Sequence, residues 1–341
     1  MPKVTIYDVA KRAGVSTATV SKVLNGNGRI SKVTSSRVEQ AIADLHYRPS
    51  IIASALKRNQ TYSIGLLVPD IINTFYSELA RAIEDVALLQ NYSVLVCSTD
   101  NSPEREGKQL DLLLRKQLDG IIIATSEGIN SSTLDMLKKQ EARVVFIDRI
   151  IANSPYPTVA TDHYQGSYQI TEYLIQLGHR KLAIFLEPLY LKTSLERLRG
   201  FSAALASYGI AQNSFSVLSN GFGAVAGYAM AQQVLENPDP PTAIVASNDL
   251  IAIGALQKFH ESGVIIPEQL SLVGYDDIQM ARMVSPSLTT VAQPIMEMGK
   301  LAFEYLFNDS MQTTATTLLS PTIVIRQTSA PPRPEGPLKS V

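Results

Sequence analysis

Residues 5–31 read TIYDVAKRAGVSTATVSKVLNGNGRIS, and the spacing of apolar residues along this run decides what the surrounding segment must fold into. Thr5 with Asp8 three residues on is a capping-box-like helix start. Ile6, Val9, Ala10 and Ala13 then fall at i, i+3, i+4 and i+7, which places them on one helical face. Gly14 supplies the stop, because glycine tolerates the left-handed backbone that ends a helix. After Val15, Ser16 can cap a second helix whose inner face is Val20, Val23 and Leu24, and Asn25-Gly-Asn-Gly28 ends it. A third helix starting near Thr34 or Ser35 buries Val38, Ala41, Ile42 and Leu45. Three short helices with a tight turn between the first two predict a helix-turn-helix unit.

The second helix is informative for what it leaves outside. Thr17, Ala18, Thr19, Ser21, Lys22 and Asn25 are small or hydrogen-bonding and lie off the apolar face. A helix that enters a DNA major groove, about 12 Å wide, needs such short polar side chains near its N-terminus. A small helical bundle with a polar outer face would look similar, so charge must decide. Residues 1–60 hold ten Lys/Arg against three Asp/Glu, a net of +7, whereas the remainder is −8 and the whole chain only −1. A merely solvated surface would not gather positive charge into one sixth of the chain; a polyanion-binding module would.

At 341 residues the chain is too long for one ordinary domain. Its 45% hydrophobic and 18% charged residues are ordinary for a water-soluble globular protein. The lone Cys97, in the apolar run Ser93-Val-Leu-Val-Cys97, excludes a disulfide framework and reads as a core residue. Met1-Pro-Lys-Val-Thr5 has no apolar signal core and no run of about 18 apolar residues occurs, so a cytoplasmic protein without a membrane span is expected. Downstream of the head, Ser50-Ile-Ile-Ala-Ser-Ala-Leu56 has helix-compatible residues for only about two turns, too few for a stable isolated helix.

From Ser63 the pattern alternates between strand and helix. Apolar runs occur at 64–68, 94–97, 121–124 and 144–147, and a second series at 182–186, 217–218, 243–246 and 272–273. Amphipathic helical stretches lie between them, for example Phe75 to Gln90, Tyr164 to Leu177 and Leu250 to His260. Buried strands alternating with helices predict parallel sheets covered on both faces, and two series predict two lobes of an α/β body.

The head run, followed by HYRPSIIASALK, resembles the lac repressor/gal repressor family of bacterial regulators from end to end. The resemblance continues to about Ser329 through LVPDIINTFYSEL, DGIII, TAIVASNDLIAIGAL, LVGYDD and LTTVAQP. It implies a small all-α helix-turn-helix head at 1–48, a hinge helix and linker at 49–60, and a two-lobed, periplasmic-binding-protein-like α/β body at 61–329. Lobe 1 would be about 61–160 plus 291–320 and lobe 2 about 161–290 plus 321–329, the chain crossing three times. A tail, 330–341, follows. Its Pro331-Pro-Arg-Pro-Glu-Gly-Pro337 carries no leucine heptads, which favours a dimer over a tetramer.

The resemblance further implies a homodimer on double-stranded operator DNA, contacted by Thr5, Tyr7, Ser16, Thr17, Ala18, Thr19, Ser21, Lys22 and Asn25 of the head. From the hinge come Ala53, Leu56 and Lys57, with Leu56 wedged into a base step of the minor groove. In the body it implies a small-molecule effector, sugar-like, held in the interlobe cleft by Phe75, Asp148, Arg197, Phe222, Asn248 and Asp276. The chemistry is coherent. Asp and Asn pair with vicinal hydroxyls, Arg offers a planar fork, and aromatic rings cover the apolar face of a sugar. Two carboxylates favour a neutral polyol, while Arg197 and Lys192 leave a sugar acid or phosphate open.

Two rival classes are weaker. A free-standing sugar-binding protein for transport is opposed by the basic head. A nucleotide-cofactor enzyme is supported only by Gly221-Phe-Gly223-Ala-Val-Ala226, which fits the dinucleotide fingerprint in form. That motif opens no first βαβ unit, and its acidic candidate, Asp239, falls in the loop Asn237-Pro-Asp-Pro-Pro241. His46, His163, His179 and His260 show no metal-ligand spacing, and no catalytic constellation stands out, so neither enzyme activity nor a cofactor is expected. If Lys22 reads a base, Lys22→Ala should weaken specific DNA binding by about 1–3 kcal/mol. Titrations against specific and random duplexes check this, and an equal loss on both would make Lys22 a phosphate contact.

Overall fold

A computed structural model describes residues 4–24, 30–47, 60–125, 129, 131–151, 153–211, 215–308 and 316–332. The chain divides into two compact units, 1–61 and 62–341. In the first, α1 (Ile6–Ala13), α2 (Thr17–Leu24) and α3 (Lys32–Asp44) enclose a core of Val9, Ala10, Ala13, Val20, Val38 and Ala41. Gly14 takes φ 65° at the end of α1, the left-handed value its position requires. The third helix starts earlier than the apolar spacing alone predicts. Ser31 Oγ accepts from Thr34 N at 3.2 Å and caps it, so Lys32 and Val33 join the first turn.

The second unit is built on two parallel sheets. The first carries β1 (Ser63–Val68), β2 (Ser93–Ser98), β3 (Gly120–Ile123), β4 (Val144–Ile147), β5 (Thr158–Thr161) and β11 (Thr316–Leu319), in the order β11-β5-β4-β3-β1-β2. The second carries β6 (Leu182–Leu186), β7 (Phe215–Ser219), β8 (Ala243–Ala246) and β9 (Ser271–Val273), in the order β7-β6-β8-β9. A short antiparallel pair, β10 (Thr290–Ala292) and β12 (Thr322–Val324), adjoins β9 through isolated bridges.

The central strands are buried on both faces, and their period of two sorts side chains into different cores. Leu66 and Val68 of β1, Ile122 of β3 and Val145 and Ile147 of β4 enter one apolar cluster, while Leu67, Ile121, Ile123, Val144 and Phe146 enter another. In the second sheet Ala183 and Phe185 point to one side and Leu182, Ile184 and Leu186 to the other.

Helices cover these faces. In lobe 1, α4 (Thr74–Leu89) packs on α12 (Ile295–Phe307) over one face of the sheet, and α5 (Pro103–Arg115) and α6 (Ser131–Lys139) cover the other. In lobe 2, α7 (His163–Gln176) packs on α8 (Lys192–Ser207) and α9 (Gly223–Glu236) on α10 (Asp249–Glu261), with the short α11 (Gln279–Met283) beside α10. The chain passes between lobes after β5, after β10 and after β11. Beyond β12 the last described residues are fastened to lobe 2. His179 Nε2 lies 2.9 Å from the Ala330 carbonyl, and Ser271 Oγ donates to that same carbonyl at 3.0 Å.

The α9–α10 contact leaves no room for a side chain at two glycines. A Cβ on Gly227 would run into the Ile251 carbonyl, and one on Gly254 into the Ala224 carbonyl. Gly227→Ala should therefore destabilise the body by about 2–3 kcal/mol, despite the helix-propensity gain of about 1 kcal/mol. At Gly107 in α5 an added Cβ meets nothing within 4 Å. Gly107→Ala should raise stability by up to about 1 kcal/mol. Urea midpoints of the two variants check both signs.

Candidate functional site

Two surfaces collect the residues singled out by sequence. In the head, Ser16 Oγ accepts from Thr19 N at 3.2 Å and sits 3.0 Å from Thr19 Oγ1, which fixes the first turn of α2. Val20 turns into the core, so Ala18 and Lys22 are exposed while Thr17, Thr19 and Ser21 are half-buried. At α1, Asp8 accepts from Thr5 N at 2.8 Å and from Thr5 Oγ1 at 2.7 Å. These hydrogen bonds hold the Asp8 carboxyl below its usual range. Tyr7 is 73% exposed, an unusual place for an aromatic ring without a partner. Asn25, Ala53, Leu56 and Lys57 lie outside the described residues.

In the body, a small polar cavity of about 20 Å³ lies between the lobes, where strand C-termini converge. From lobe 1 it is lined by Asn73, Phe75 and Tyr76 after β1, and by Asp148 and Arg149 after β4. From lobe 2 come Glu187 after β6, Thr193 and Arg197 of α8, Asn248 after β8 and Asp276 after β9. Gln293, just past β10, lies where the chain returns to lobe 1.

Local sequence explains these positions. Asn73 and Asn248 each end a strand–helix loop and cap the helix that follows, Asn73 Oδ1 accepting from Phe75 N at 3.1 Å and Asn248 Oδ1 from Ile251 N at 2.8 Å. Asp148 and Asp276 turn the backbone sharply, with φ of 69° and 117°. Positive φ costs a side-chain-bearing residue on the order of 1–3 kcal/mol, a strain that clusters at functional sites.

The buried charges form a chain across the lobes. Tyr76 Oη donates to Asp148 Oδ2 at 3.1 Å, and His163 Nε2 stands 3.6 Å from Asp148 Oδ1. Arg197 Nη2 is 3.3 Å from His163 Nδ1, so Nδ1 is the acceptor and the ring proton sits on Nε2, facing Asp148. Arg197 also donates to the Ser247 carbonyl, lies 3.8 Å from Asp276 Oδ1 and stacks 4.1 Å above the Tyr275 ring. Gln293 Nε2 donates to Asp276 Oδ1 at 2.7 Å, while Gln293 Oε1 accepts from Thr161 Oγ1 at 2.6 Å. Arg149 donates to the Thr125 carbonyl at 2.6 Å.

These surroundings set the protonation states. Burial pushes the Asp148 carboxyl up, but His163, Arg149 and Arg197 outweigh it and hold it below the ordinary range. Burial pushes Asp276 well up, against the pull of Arg197. Burial, reinforced by the Arg197 charge, lowers His163 and keeps its ring neutral.

Five of the six effector candidates thus share one cavity: Phe75, Asp148, Arg197, Asn248 and Asp276. Phe222 does not line it. It caps α9 between Gly221 and Gly223, both at positive φ, beyond the edge strand β7, whereas the cavity faces the ends of β6, β8 and β9. Lys192 is exposed and is not among the lining residues either. The dinucleotide-like glycines form that same turn, and Asp239 pairs with Lys181 on the surface, 85% exposed.

Sequence reasoning missed Asn73, Tyr76, Arg149, Glu187, Thr193 and Gln293. Arg149 and Tyr76 adjoin residues already chosen, and Glu187 shared the strand-end position that marked Asp148. Gln293 gave no signal, because β10 is too short to show a pattern.

Comparison with known proteins is consistent over both units. The sequence model of a family described as "Bacterial regulatory proteins, lacI family" matches residues 5–50. That of "Periplasmic binding proteins and sugar binding domain of LacI family" matches residues 61–328. The HTH-type transcriptional regulator DegA of Bacillus subtilis is 38% identical over 301 residues, covering 87% of this chain and 88% of that protein. The lac repressor dimer bound to operator and the anti-inducer ONPF superposes with a TM-score of 0.87 at 28% identity, covering 96% of this chain and all of that one. A LacI-family regulator from Enterococcus faecium with bound ribose superposes with a TM-score of 0.73 at 32% identity, over 80% of this chain and all of that one.

The neutral His163 makes a checkable contribution to stability. Its folded pKa lies below the value of about 6.5 for an exposed histidine, so between the two the unfolded chain binds the extra proton. The stability it supports is complete above about pH 6.5 and falls as pH drops through that window. Urea unfolding of wild type and His163→Gln between neutral and mildly acid pH should show a shallower acid loss in the variant.

Proposed function

The chain belongs to the LacI family of bacterial regulatory proteins, and on that premise we propose that it is a cytoplasmic, homodimeric repressor released from operator DNA when a neutral monosaccharide fills the interlobe cavity. In this reading α2 lies in the major groove and Thr17, Ala18 and Lys22 set operator preference. Thr5, Tyr7, Ser16, Thr19, Ser21 and Asn25 hold the head on the duplex, and the two hinges, with Ala53, Leu56 and Lys57, pair in the minor groove. A two-fold dimer suits a pseudo-palindromic operator.

The observation that carries the effector class is the charge balance of the cavity. Asp148, Glu187 and Asp276 face Arg149 and Arg197, and none of the five is more than 9% exposed. Both guanidiniums already donate to backbone carbonyls, those of Thr125 and Ser247. Carboxyl groups outnumber the two cations, both already engaged, which disfavours a phosphate or a sugar acid and suits hydroxyl groups, since these donate to carboxylates and accept from arginine. Phe75 and Tyr76 offer apolar ring surface beside them. The bound ribose of the Enterococcus faecium relative makes D-ribose the first compound to test.

The decisive experiment is titration of the full chain against a pool of genomic DNA fragments, at fixed salt, with and without a panel of neutral sugars and their acid and phosphate derivatives. Selective binding weakened by one neutral sugar is the expected result. No selective binding under any condition, or release only by an anionic compound, would overturn the reading.

A further inference from the structure

We propose that Glu187 is a specificity-determining residue of the cavity, whose carboxylate excludes anionic sugar derivatives while accepting a hydrogen bond from a neutral effector. The proposal rests on the reading that the effector binds between the lobes and goes further, by assigning its charge selection to one side chain.

The position of Glu187 is fixed from both sides. Its backbone N donates to Ser247 Oγ at 3.2 Å, and its carbonyl accepts from Ser219 Oγ at 3.1 Å, which ties it to the ends of β8 and β7. From that anchorage its side chain reaches the cavity wall alongside Arg149 and Arg197. Burial raises its carboxyl above the ordinary range, while the two guanidiniums and a hydrogen bond with Asn248 pull the other way.

Asp148 and Asp276 are each engaged elsewhere, Asp148 with Tyr76 and His163, and Asp276 with Gln293. Asp148 is held in its charged form, whereas burial pushes Asp276 towards the neutral one. Without Glu187 the two planar guanidinium forks would face only Asp148 and Asp276, a favourable setting for a carboxylate or phosphate. With Glu187 an entering anion meets a third carboxylate at a depth where solvent and salt screen little. A hydroxyl meets an additional acceptor instead. Glutamine at this position would keep size and hydrogen-bonding capacity and remove only the charge.

The test uses calorimetric titration of the full chain and its Glu187→Gln variant with two pairs matched in size, D-ribose with D-ribonate and D-glucose with D-gluconate. Wild type should bind a neutral sugar about a hundredfold more tightly than its acid, as expected for like charges brought together inside a site. Glu187→Gln should narrow that gap by about tenfold or more, chiefly through tighter binding of the acid. An unchanged gap overturns the proposal.

If none of the four compounds binds wild type, these sugars are excluded as effectors, and inorganic phosphate still decides the role of Glu187. Thermal stabilisation of Glu187→Gln by phosphate, absent in wild type, supports it; an equal response in both overturns it. Should Glu187→Gln fail to fold, Glu187→Ala serves the same comparisons, with the same two outcomes.

Discussion

Charge buried between the two lobes is the constraint on which the rest of the body depends. An unpaired ion in a protein interior costs several kcal/mol even after relaxation, so the charges at these strand ends persist only with partners in place. Asp148 belongs to lobe 1, whereas His163, Arg197 and Asp276 belong to lobe 2, and the chain of contacts crosses the gap. A change in lobe orientation would alter this chain directly, lengthening the Asp148–His163 approach and admitting water. Cavity chemistry and lobe orientation are therefore one equilibrium, and a ligand that favours one set of pairings favours one orientation.

The legibility of this arrangement in the sequence follows from how each element is stabilised. β1, β3, β4, β6 and β8 are sandwiched between helix layers, so their apolar runs stand out against polar loops. β5, written Thr-Val-Ala-Thr, is just as buried, but its threonines disguise it, and Thr161 is needed for its hydrogen bond to Gln293. β10 to β12 are only three or four residues long, and they form by pairing with distant segments that no local window contains. The site shows the same division. Asp148, Asn248 and Asp276, implied by the family resemblance, each follow a recognisable strand. Phe222 follows β7 at the edge of its sheet and is not among the residues that line the cavity. Strand-end position alone does not determine which way a loop turns.

The uneven charge of the chain fits the same mechanism. A head of net +7 binds any duplex through its phosphates, with an affinity that falls steeply with salt. A body of net −8 is repelled by the same phosphates and adds no nonspecific affinity of its own. DNA binding is thereby confined to the small unit. The body is left to act through the geometry it imposes rather than through contacts it makes.

For an effector to exert control it must bind the two lobe orientations with different affinity; tight binding alone shifts nothing. Most polar groups around the cavity already satisfy one another, as Tyr76 does Asp148 and Gln293 does Asp276, so replacing those bonds with ligand bonds gains little. Arg197 Nε is different, being buried without a hydrogen-bond partner among the described residues. A buried donor left unmade costs on the order of 1–3 kcal/mol, and a ligand oxygen that reaches one recovers that cost only in the orientation that brings it within range. A ligand oxygen within reach of Arg197 Nε would therefore favour the lobe arrangement in which that contact is made.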